Sequence, residues 1–306
     1  MAGSKLALAK AITLSESTRV DHREIIEKVL EIVSQKAPMS IRVGVSGSPG
    51  VGKSTFIDAF GRMVLSKGKK LAVLTIDPSS PVHGGSILGD KTRMINLVSD
   101  QHAFIRPSPS SGELGGVGSR TREAVMLCEA AGYDFVIVET VGVGQSDLVV
   151  SSMTDIFLQL HMPLSGDDLQ GMKKGSNEIA DFIIITKADG VLKEAAQIAK
   201  MELEHSFHSD KEKVFLVSAK DNKGISEVCD IVFNYWDEMQ TNGRLIEKRR
   251  EQVANWVDAE FKREVIHRLY NNQEFNKNLK SVTEEVVAGS KSTAFAVRTL
   301  LSKFLK

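Results

Sequence analysis

Short apolar runs alternate with helical patterns through the middle of the chain. Six runs stand out: IRVGVSG (41–47), KLAVLTID (70–77), DFVIVET (134–140), DIFLQLHM (155–162), DFIIITKAD (181–189) and KVFLVSAK (213–220). Nearly continuous valine, isoleucine and leucine content is typical of strands that are buried on both faces of a parallel sheet. The alternation predicts a three-layer α/β domain over 39–240, with a mostly parallel sheet between layers of helices.

The N-terminal residues show the period of an amphipathic helix. In HREIIEKVLEIV, apolar residues recur at three- and four-residue spacing: Ile25, Ile26, Val29, Ile32 and Val33. This spacing predicts one apolar helix face, and Pro38 marks the end of the helical pattern. We therefore expect an N-terminal helical segment over 1–38.

Beyond about residue 240 the strand-like runs stop and helical patterns continue. One helical pattern carries a series of apolar positions: Val253, Trp256, Val257, Phe261, Val265, Ile266 and Leu269. A last helix is expected around STAFAVRTLLSKFL, after a turn at GSKST (289–293). A helical arm this apolar, over 241–306, must pack against its own domain or against a second subunit.

Composition narrows the class of protein. The formal net charge is zero, with 42% hydrophobic and 25% charged residues, so nothing favours a nucleic acid or an acidic membrane surface as partner. No apolar run has the roughly 18 residues of a membrane helix, and the N-terminus lacks the features of a signal peptide. Cys128 and Cys229 lie in helical patterns and are expected to be buried, which suits a cytoplasmic protein.

The stretch GVSGSPGVGKST (44–55) predicts a phosphate-binding loop. It has the spacing G-x-x-x-x-G-K-[ST] after an apolar run and before a helical pattern. Its backbone N–H groups would face phosphate oxygens, Lys53 would add a cation, and Ser54 would offer a hydroxyl to Mg²⁺. The predicted nucleotide-binding residues of this P-loop are Gly47, Ser48, Pro49, Gly50, Val51, Gly52, Lys53, Ser54 and Thr55.

Acidic residues at strand ends are candidate ligands for the metal. Asp77 ends one apolar run, Glu139 ends another, and Asp90 follows in GGSILGDKTRM. Mg²⁺ prefers oxygen ligands and usually keeps several waters, and ligands of open α/β sheets bind at the carboxyl ends of the strands. The alternative is that Asp77 and Glu139 only cap strand ends.

Two further strand ends predict which base is bound. TKAD brings Thr186, Lys187 and Asp189, and SAK brings Ser218, Ala219 and Lys220. A carboxylate at this position can accept from N1–H and the exocyclic amine of guanine, whereas adenine would leave it unpaired. The order of the motifs favours GTP over ATP, and the domain is expected to be a P-loop G domain. Threonine stands where asparagine is usual, so weaker affinity for the base is expected.

ETVGVGQSD (139–147) stands where GTPases keep a switch segment. The N–H of Gly142 could sense the γ-phosphate, and Glu139 replaces the usual aspartate. No glutamine follows Gly142 directly, so turnover is expected to be slow without help. Gln145 is close enough in sequence to be considered.

Together these residues resemble the MeaB/ArgK/MMAA family of GTPases, the chaperones of cobalamin-dependent acyl-CoA mutases. The matching stretches include LALAKAITLSEST, GSPGVGKST, DPSSPVHGGSILGDKTRM, GGVGSRTREAVMLCEAAGYDFVIVETVGVGQSD, LQGMKKGSNEIAD and TKADG. The resemblance implies that Asp77, Asp90 and Glu139 surround Mg²⁺. It also implies that Gln170 and Lys173 belong to a switch segment that can approach the nucleotide when the mutase binds.

The resemblance further implies a homodimer formed through the C-terminal arm. It implies GTP hydrolysis to GDP that gates cobalamin loading and protects or reactivates the mutase. The expected cofactors are GTP or GDP with Mg²⁺, and a cobalamin adenosyltransferase is a second candidate partner.

Three other functions share the phosphate loop. A nickel-delivery GTPase usually has Cys and His clusters, whereas the seven histidines here are scattered and no C-x-x-C is present. An ATPase or kinase serving basic amino-acid transport is disfavoured by Asp189. A passive binding module would use GTP occupancy alone to set its affinity for a partner.

Overall fold

One parallel sheet forms the centre of the protein. The computed structural model describes residues 4–35, 39–77, 94–109, 114–140, 145–163, 178–206 and 213–304. The strands in these ranges are β1 (Ile41–Gly47), β2 (Leu71–Asp77), β3 (Ala103–Pro109), β4 (Phe135–Glu139), β5 (Ile156–His161), β6 (Phe182–Ile185) and β7 (Val214–Leu216). Their order is β3-β2-β4-β1-β5-β6-β7, and every neighbouring pair is parallel. All carboxyl ends therefore meet at one edge.

Helices connect the strands and continue beyond them. In the described ranges they are α1 (Lys5–Glu16), α2 (Val20–Ser34), α3 (Lys53–Ser66), α4 (Ile95–Val98), α5 (Leu114–Ala130), α6 (Gln145–Ser151), α7 (Lys193–Ser206), α8 (Ile225–Thr241), α9 (Arg244–Tyr270), α10 (Gln273–Val287) and α11 (Thr293–Phe304). A 3₁₀ turn (Gly190–Leu192) precedes α7. None of the helices within these ranges has the length and apolar character needed to cross a bilayer.

Successive residues of the strands point to opposite apolar cores. Val73 packs in a core with side chains of α3 and α8, while Leu74 packs in a core with α1, α2 and α5. Because side chains alternate along a strand, each central strand is buried on both faces. The predicted three-layer α/β fold with a parallel sheet is confirmed.

The sequence pattern missed strand β3. Each of the six predicted runs contains a strand, but AFIRPSP at Ala103–Pro109 also pairs in parallel with β2. Arg106 and two prolines interrupt its apolar pattern. A proline cannot donate to a ladder, so it is tolerated mainly on edge strands. At the edge of this sheet, β3 needs only one hydrogen-bonded neighbour.

The predicted apolar face of the N-terminal helix is wrong in part. Ile26 is fully buried, but Ile25 is 50% and Ile32 63% exposed. Arg23 of α2 donates two hydrogen bonds to Glu123 of α5, both of 3.0 Å. Arg23 and Ile26 are three residues apart and therefore lie on the same face of α2. This face packs against the protein, whereas Ile25 and Ile32 are directed toward solvent.

Both cysteines are buried free thiols, as predicted. Cys128 lies in α5 and Cys229 in α8. Burial raises the pKa of Cys229 to about 11 and raises the pKa of Cys128 further above its usual range. Each is therefore an inert apolar side chain at neutral pH.

The chain divides into two compact units, residues 1–252 and 253–306. The first turns of α9 belong to the first unit, since Arg249 donates two hydrogen bonds to the buried Asp155 at 2.7 and 2.8 Å. In the second unit Phe275 contacts the rings of Tyr270 and Phe304 edge-on. The predicted turn at GSKST is confirmed, since α10 ends at Val287 and α11 begins at Thr293.

Candidate functional site

The predicted P-loop connects the carboxyl end of β1 to the start of α3. Gly52 is the N-cap of α3 and has a φ of +100°, a left-handed conformation that favours glycine. At Gly47 a Cβ would lie 2.7 Å from the carbonyl oxygen of Leu160. Glycine at these positions lets the loop lie close to β5 and turn directly into the helix, whose N-terminal N–H groups favour an anion.

Lys53 lies folded along this loop. Its ammonium donates to the carbonyl of Gly47 at 2.7 Å and to that of Ser48 at 3.2 Å. The cation is therefore held at the mouth of the loop, beside the N-terminus of α3. This position is suited to neutralising phosphate charge.

Two predicted metal ligands lie side by side. Ser54 Oγ is 3.4 Å from Glu139 Oε1, and both residues are buried. Glu139 lies level with Val45 of β1 and Thr75 of β2 in the ladder, and Asp77 ends β2 two residues further on. A hydroxyl and a carboxylate at this separation form the hard oxygen donor set that Mg²⁺ prefers, so these residues fit the ion.

The predicted base-reading segment is attached to the P-loop by hydrogen bonds. Thr186 Oγ1 lies 2.7 Å from the carbonyl oxygen of Val51 and 3.1 Å from that of His161. Lys187 has a left-handed φ of +54° and donates to the carbonyl of Gly50 at 2.7 Å. The end of β6 is thereby held against the loop that precedes α3.

The second predicted base-reading segment meets the first at Asp189. Ser218 Oγ donates to Asp189 Oδ2 at 2.5 Å, and Ala188 N donates to the carbonyl of Val217 at 3.1 Å. Ala219 is half-buried and Lys220 is exposed. These contacts fix the Asp189 carboxylate between the ends of β6 and β7.

Not every predicted site residue is placed. Asp90, Gly142, Gln170 and Lys173 lie outside the described residues. Among the loop residues, Pro49, Gly50 and Thr55 are exposed, whereas Val51 is buried against the core. The described part of the site brings together the P-loop, the Ser54–Glu139 pair and the two base-reading segments at the same edge of the sheet.

Sequence reasoning missed three buried polar residues beside the P-loop. Ser46, Thr140 and Asp147 are buried and joined by hydrogen bonds. One signal was available, because Ser46 carries a hydroxyl near the end of a mostly apolar run. Buried polar groups are costly unless paired, so such a residue predicts a partner elsewhere in the chain.

The chain is similar to known proteins over almost its whole length. Residues 8–274 match the profile of the family described as "Methylmalonyl Co-A mutase-associated GTPase MeaB". The chain is 42% identical over 311 residues to "GTPase ArgK" of Escherichia coli (strain K12), with 99% of this chain and 94% of the relative covered. It is 41% identical over 319 residues to "Methylmalonic aciduria type A homolog, mitochondrial" of Mus musculus, covering 99% and 77%. The crystal structure of "LAO/AO transport system kinase" is 34% identical, with a TM-score of 0.78 over 99% of this chain and 94% of that one.

Proposed function

Because the chain belongs to the family of methylmalonyl-CoA mutase-associated GTPases, we propose that it hydrolyses GTP to GDP and phosphate to serve a cobalamin-dependent acyl-CoA mutase. One observation supports the proposed hydrolysis: three segments of the predicted site meet at the same edge of the sheet. The P-loop follows β1, Glu139 ends the neighbouring β4 beside Ser54, and the Asp189 carboxylate follows β6, so all three lie at the carboxyl edge of the sheet.

In the proposed reaction, water attacks the γ-phosphorus and the bond from phosphorus to the β,γ-bridging oxygen breaks. Lys53 and the loop N–H groups stabilise the negative charge that moves onto the bridging and β-phosphate oxygens. Ser54 and Glu139, with Asp77 and Asp90, would hold Mg²⁺, which supplies further neutralisation of phosphate charge. Catalysis then rests mainly on positioning and electrostatics.

Guanine selection is assigned to Asp189. Its carboxylate would accept from N1–H and the exocyclic amine of the base, with the Lys187 stem over the ring and the Ser218–Ala219 backbone near the base oxygen. The buried hydroxyl of Thr186 donates a hydrogen bond to the carbonyl of Val51. It would therefore support the geometry of the segment without contacting the base. Adenine presents no matching donors and would leave the carboxylate unpaired.

The mutase role is tested by the rate of hydrolysis with and without the mutase. The family description and the mouse relative's name point to methylmalonyl-CoA mutase, and Gln170 and Lys173 are the proposed residues that respond to it. We expect a purified methylmalonyl-CoA mutase to raise the rate of phosphate release at least about tenfold, since slow intrinsic turnover is typical when the water-positioning group is incomplete. An unrelated protein at the same concentration is the control, and no stimulation would favour the passive binding module.

A cobalamin adenosyltransferase added as a third component tests the second proposed partner.

A kinase function is suggested by the name of the solved relative. A GTPase releases free phosphate in a one-to-one ratio with GDP, whereas a kinase would retain the labelled γ-phosphate on an acceptor. Following labelled GTP in the presence of basic amino acids separates the two reactions.

We further propose that the C-terminal arm forms a homodimer. Three apolar residues four apart on α9 are mostly exposed: Val253 at 51%, Val257 at 65% and Phe261 at 67%. This spacing aligns them in one stripe, and a self-complementary stripe suits a two-fold interface with a second copy.

Val257→Asp is expected to shift the protein from dimer to monomer in sedimentation. The matched control is Val20→Asp, at an exposed apolar position of α2 outside the arm, which should leave the dimer intact. A dimeric Val257→Asp protein would contradict the proposal.

A further inference from the structure

A buried polar cluster of Ser46, Thr140 and Asp147 lies directly behind the P-loop. Ser46 Oγ donates to Asp147 Oδ1 at 2.6 Å. The Thr140 hydroxyl lies 2.9 Å from Ser46 Oγ and 3.0 Å from Asp147 Oδ1. All three residues are almost fully buried, so these contacts are shielded from competing water and hold their members firmly.

The cluster joins three segments that border the proposed nucleotide site. Ser46 immediately precedes Gly47, where the P-loop begins. Thr140 immediately follows the proposed metal ligand Glu139, and its N–H donates to the carbonyl of Val45 at 3.0 Å. Asp147 lies in the first turn of α6. One carboxyl therefore ties the phosphate loop, the residue next to Glu139 and the start of α6 to one another.

The cluster places polar side chains where apolar ones would be easier to bury. An apolar side chain would fill the end of β1 without the cost of burying a carboxyl group, which requires hydrogen-bond partners to be tolerated. A fully hydrogen-bonded polar network can hold its members in one arrangement more rigidly than apolar packing does. The parts held together here are the residue before the P-loop, the residue after Glu139 and the start of α6.

From these contacts we propose that Asp147 is a positioning residue for GTP hydrolysis. It acts through the hydroxyls of Ser46 and Thr140 to hold Glu139 in register with Ser54, and it does not itself touch the nucleotide. This inference rests on the proposed hydrolysis at the P-loop. Since small misplacements of reacting groups reduce rates strongly while leaving much of the binding energy intact, the chemical step depends on the cluster more than nucleotide binding does.

The test separates kcat from the affinity for nucleotide. Asp147→Leu and Thr140→Val keep the approximate side-chain size but remove a hydrogen-bonding group from the cluster, and each is expected to lower kcat for GTP by at least about tenfold. The Kd for a non-hydrolysable GTP analogue should change by less than about threefold, because the P-loop and Asp189 are unaltered. Thr140→Ser, which retains the hydroxyl, should restore a kcat close to that of the unaltered protein.

A matched control distinguishes positioning from general destabilisation. Asp58 is another buried carboxylate, which accepts from Asn96 Nδ2 at 2.6 Å and from Leu97 N at 3.1 Å on α4. Asp58→Asn should lower the Tm without lowering kcat at 25 °C. The inference is overturned if the unaltered protein hydrolyses GTP and either Asp147→Leu or Thr140→Val does so at the same rate, or if kcat falls equally in Thr140→Val and Thr140→Ser. If the unaltered protein does not hydrolyse GTP, it is the proposed function that fails.

Discussion

Replacement of Lys53 with alanine is expected to lower the rate of GTP hydrolysis by at least about 10³-fold, in the range known for removal of a phosphate-clamping cation. The ammonium of Lys53 lies at the mouth of the P-loop, within 2.7 Å of the Gly47 carbonyl oxygen. The measurement is phosphate release in a single turnover with enzyme in excess over GTP, so that weaker binding does not conceal the chemical step.

The control for this variant is a lysine at the other end of the same helix. Lys67 is the C-cap of α3 and pairs with Asp230 at 2.8 Å. Lys67→Ala removes the same charge from the protein but not from the loop, so its rate should equal that of the unaltered protein. Hydrolysis at the unaltered rate by Lys53→Ala would remove the P-loop from the proposed reaction.

Replacement of Asp189 with asparagine is expected to invert the base preference. Asparagine presents one acceptor and one donor where aspartate presents acceptors only. Xanthine has a carbonyl oxygen where guanine has its exocyclic amine, so it can accept from the new amide. We expect GTP affinity to fall about 10²-fold and xanthosine triphosphate to bind more tightly than GTP, because a site built for a specific donor pattern strongly rejects a mismatched partner.

The local structure should survive this substitution. Ser218 donates to the carboxylate at 2.5 Å, and the side-chain oxygen of asparagine can accept the same hydrogen bond. The control is Asp221→Asn in the neighbouring loop, where the carboxylate is paired with the exposed Lys223. Competition against a fluorescent GTP analogue measures both variants. An unchanged preference for GTP in Asp189→Asn would show that another group selects the base.

The core of the fold was predictable because its strands carry a strong local signal. Each central strand is apolar on both faces, and its run of valine, isoleucine and leucine marks it without reference to the rest of the chain. The edge strand β3 has no such signal, since Pro107 is tolerated only because one side of the strand needs no partner. The orientation of α2 depends on the distant pair of Arg23 and Glu123, so helical period alone misplaced Ile25 and Ile32.

The candidate site shows the same division between local and distant information. The P-loop and TKAD are contiguous motifs, and their chemistry follows from residue type and spacing. The meeting of Ser46 with Thr140 and Asp147 depends on the register of β1 against β4 and on where α6 begins. The hydrogen bond from Thr186 to the carbonyl of Val51 likewise joins residues far apart in sequence, so this contact emerged only from the structure.

The central claim is that an acidic side chain between β6 and β7 selects guanine for a P-loop that binds a triphosphate. Titration calorimetry with non-hydrolysable GTP and ATP analogues in the presence of Mg²⁺ measures this selection directly. We predict that the guanine nucleotide binds at least about 10²-fold more tightly than the adenine nucleotide, as expected when a carboxylate that reads the base loses its donors. Equal affinities for the two nucleotides would contradict the account.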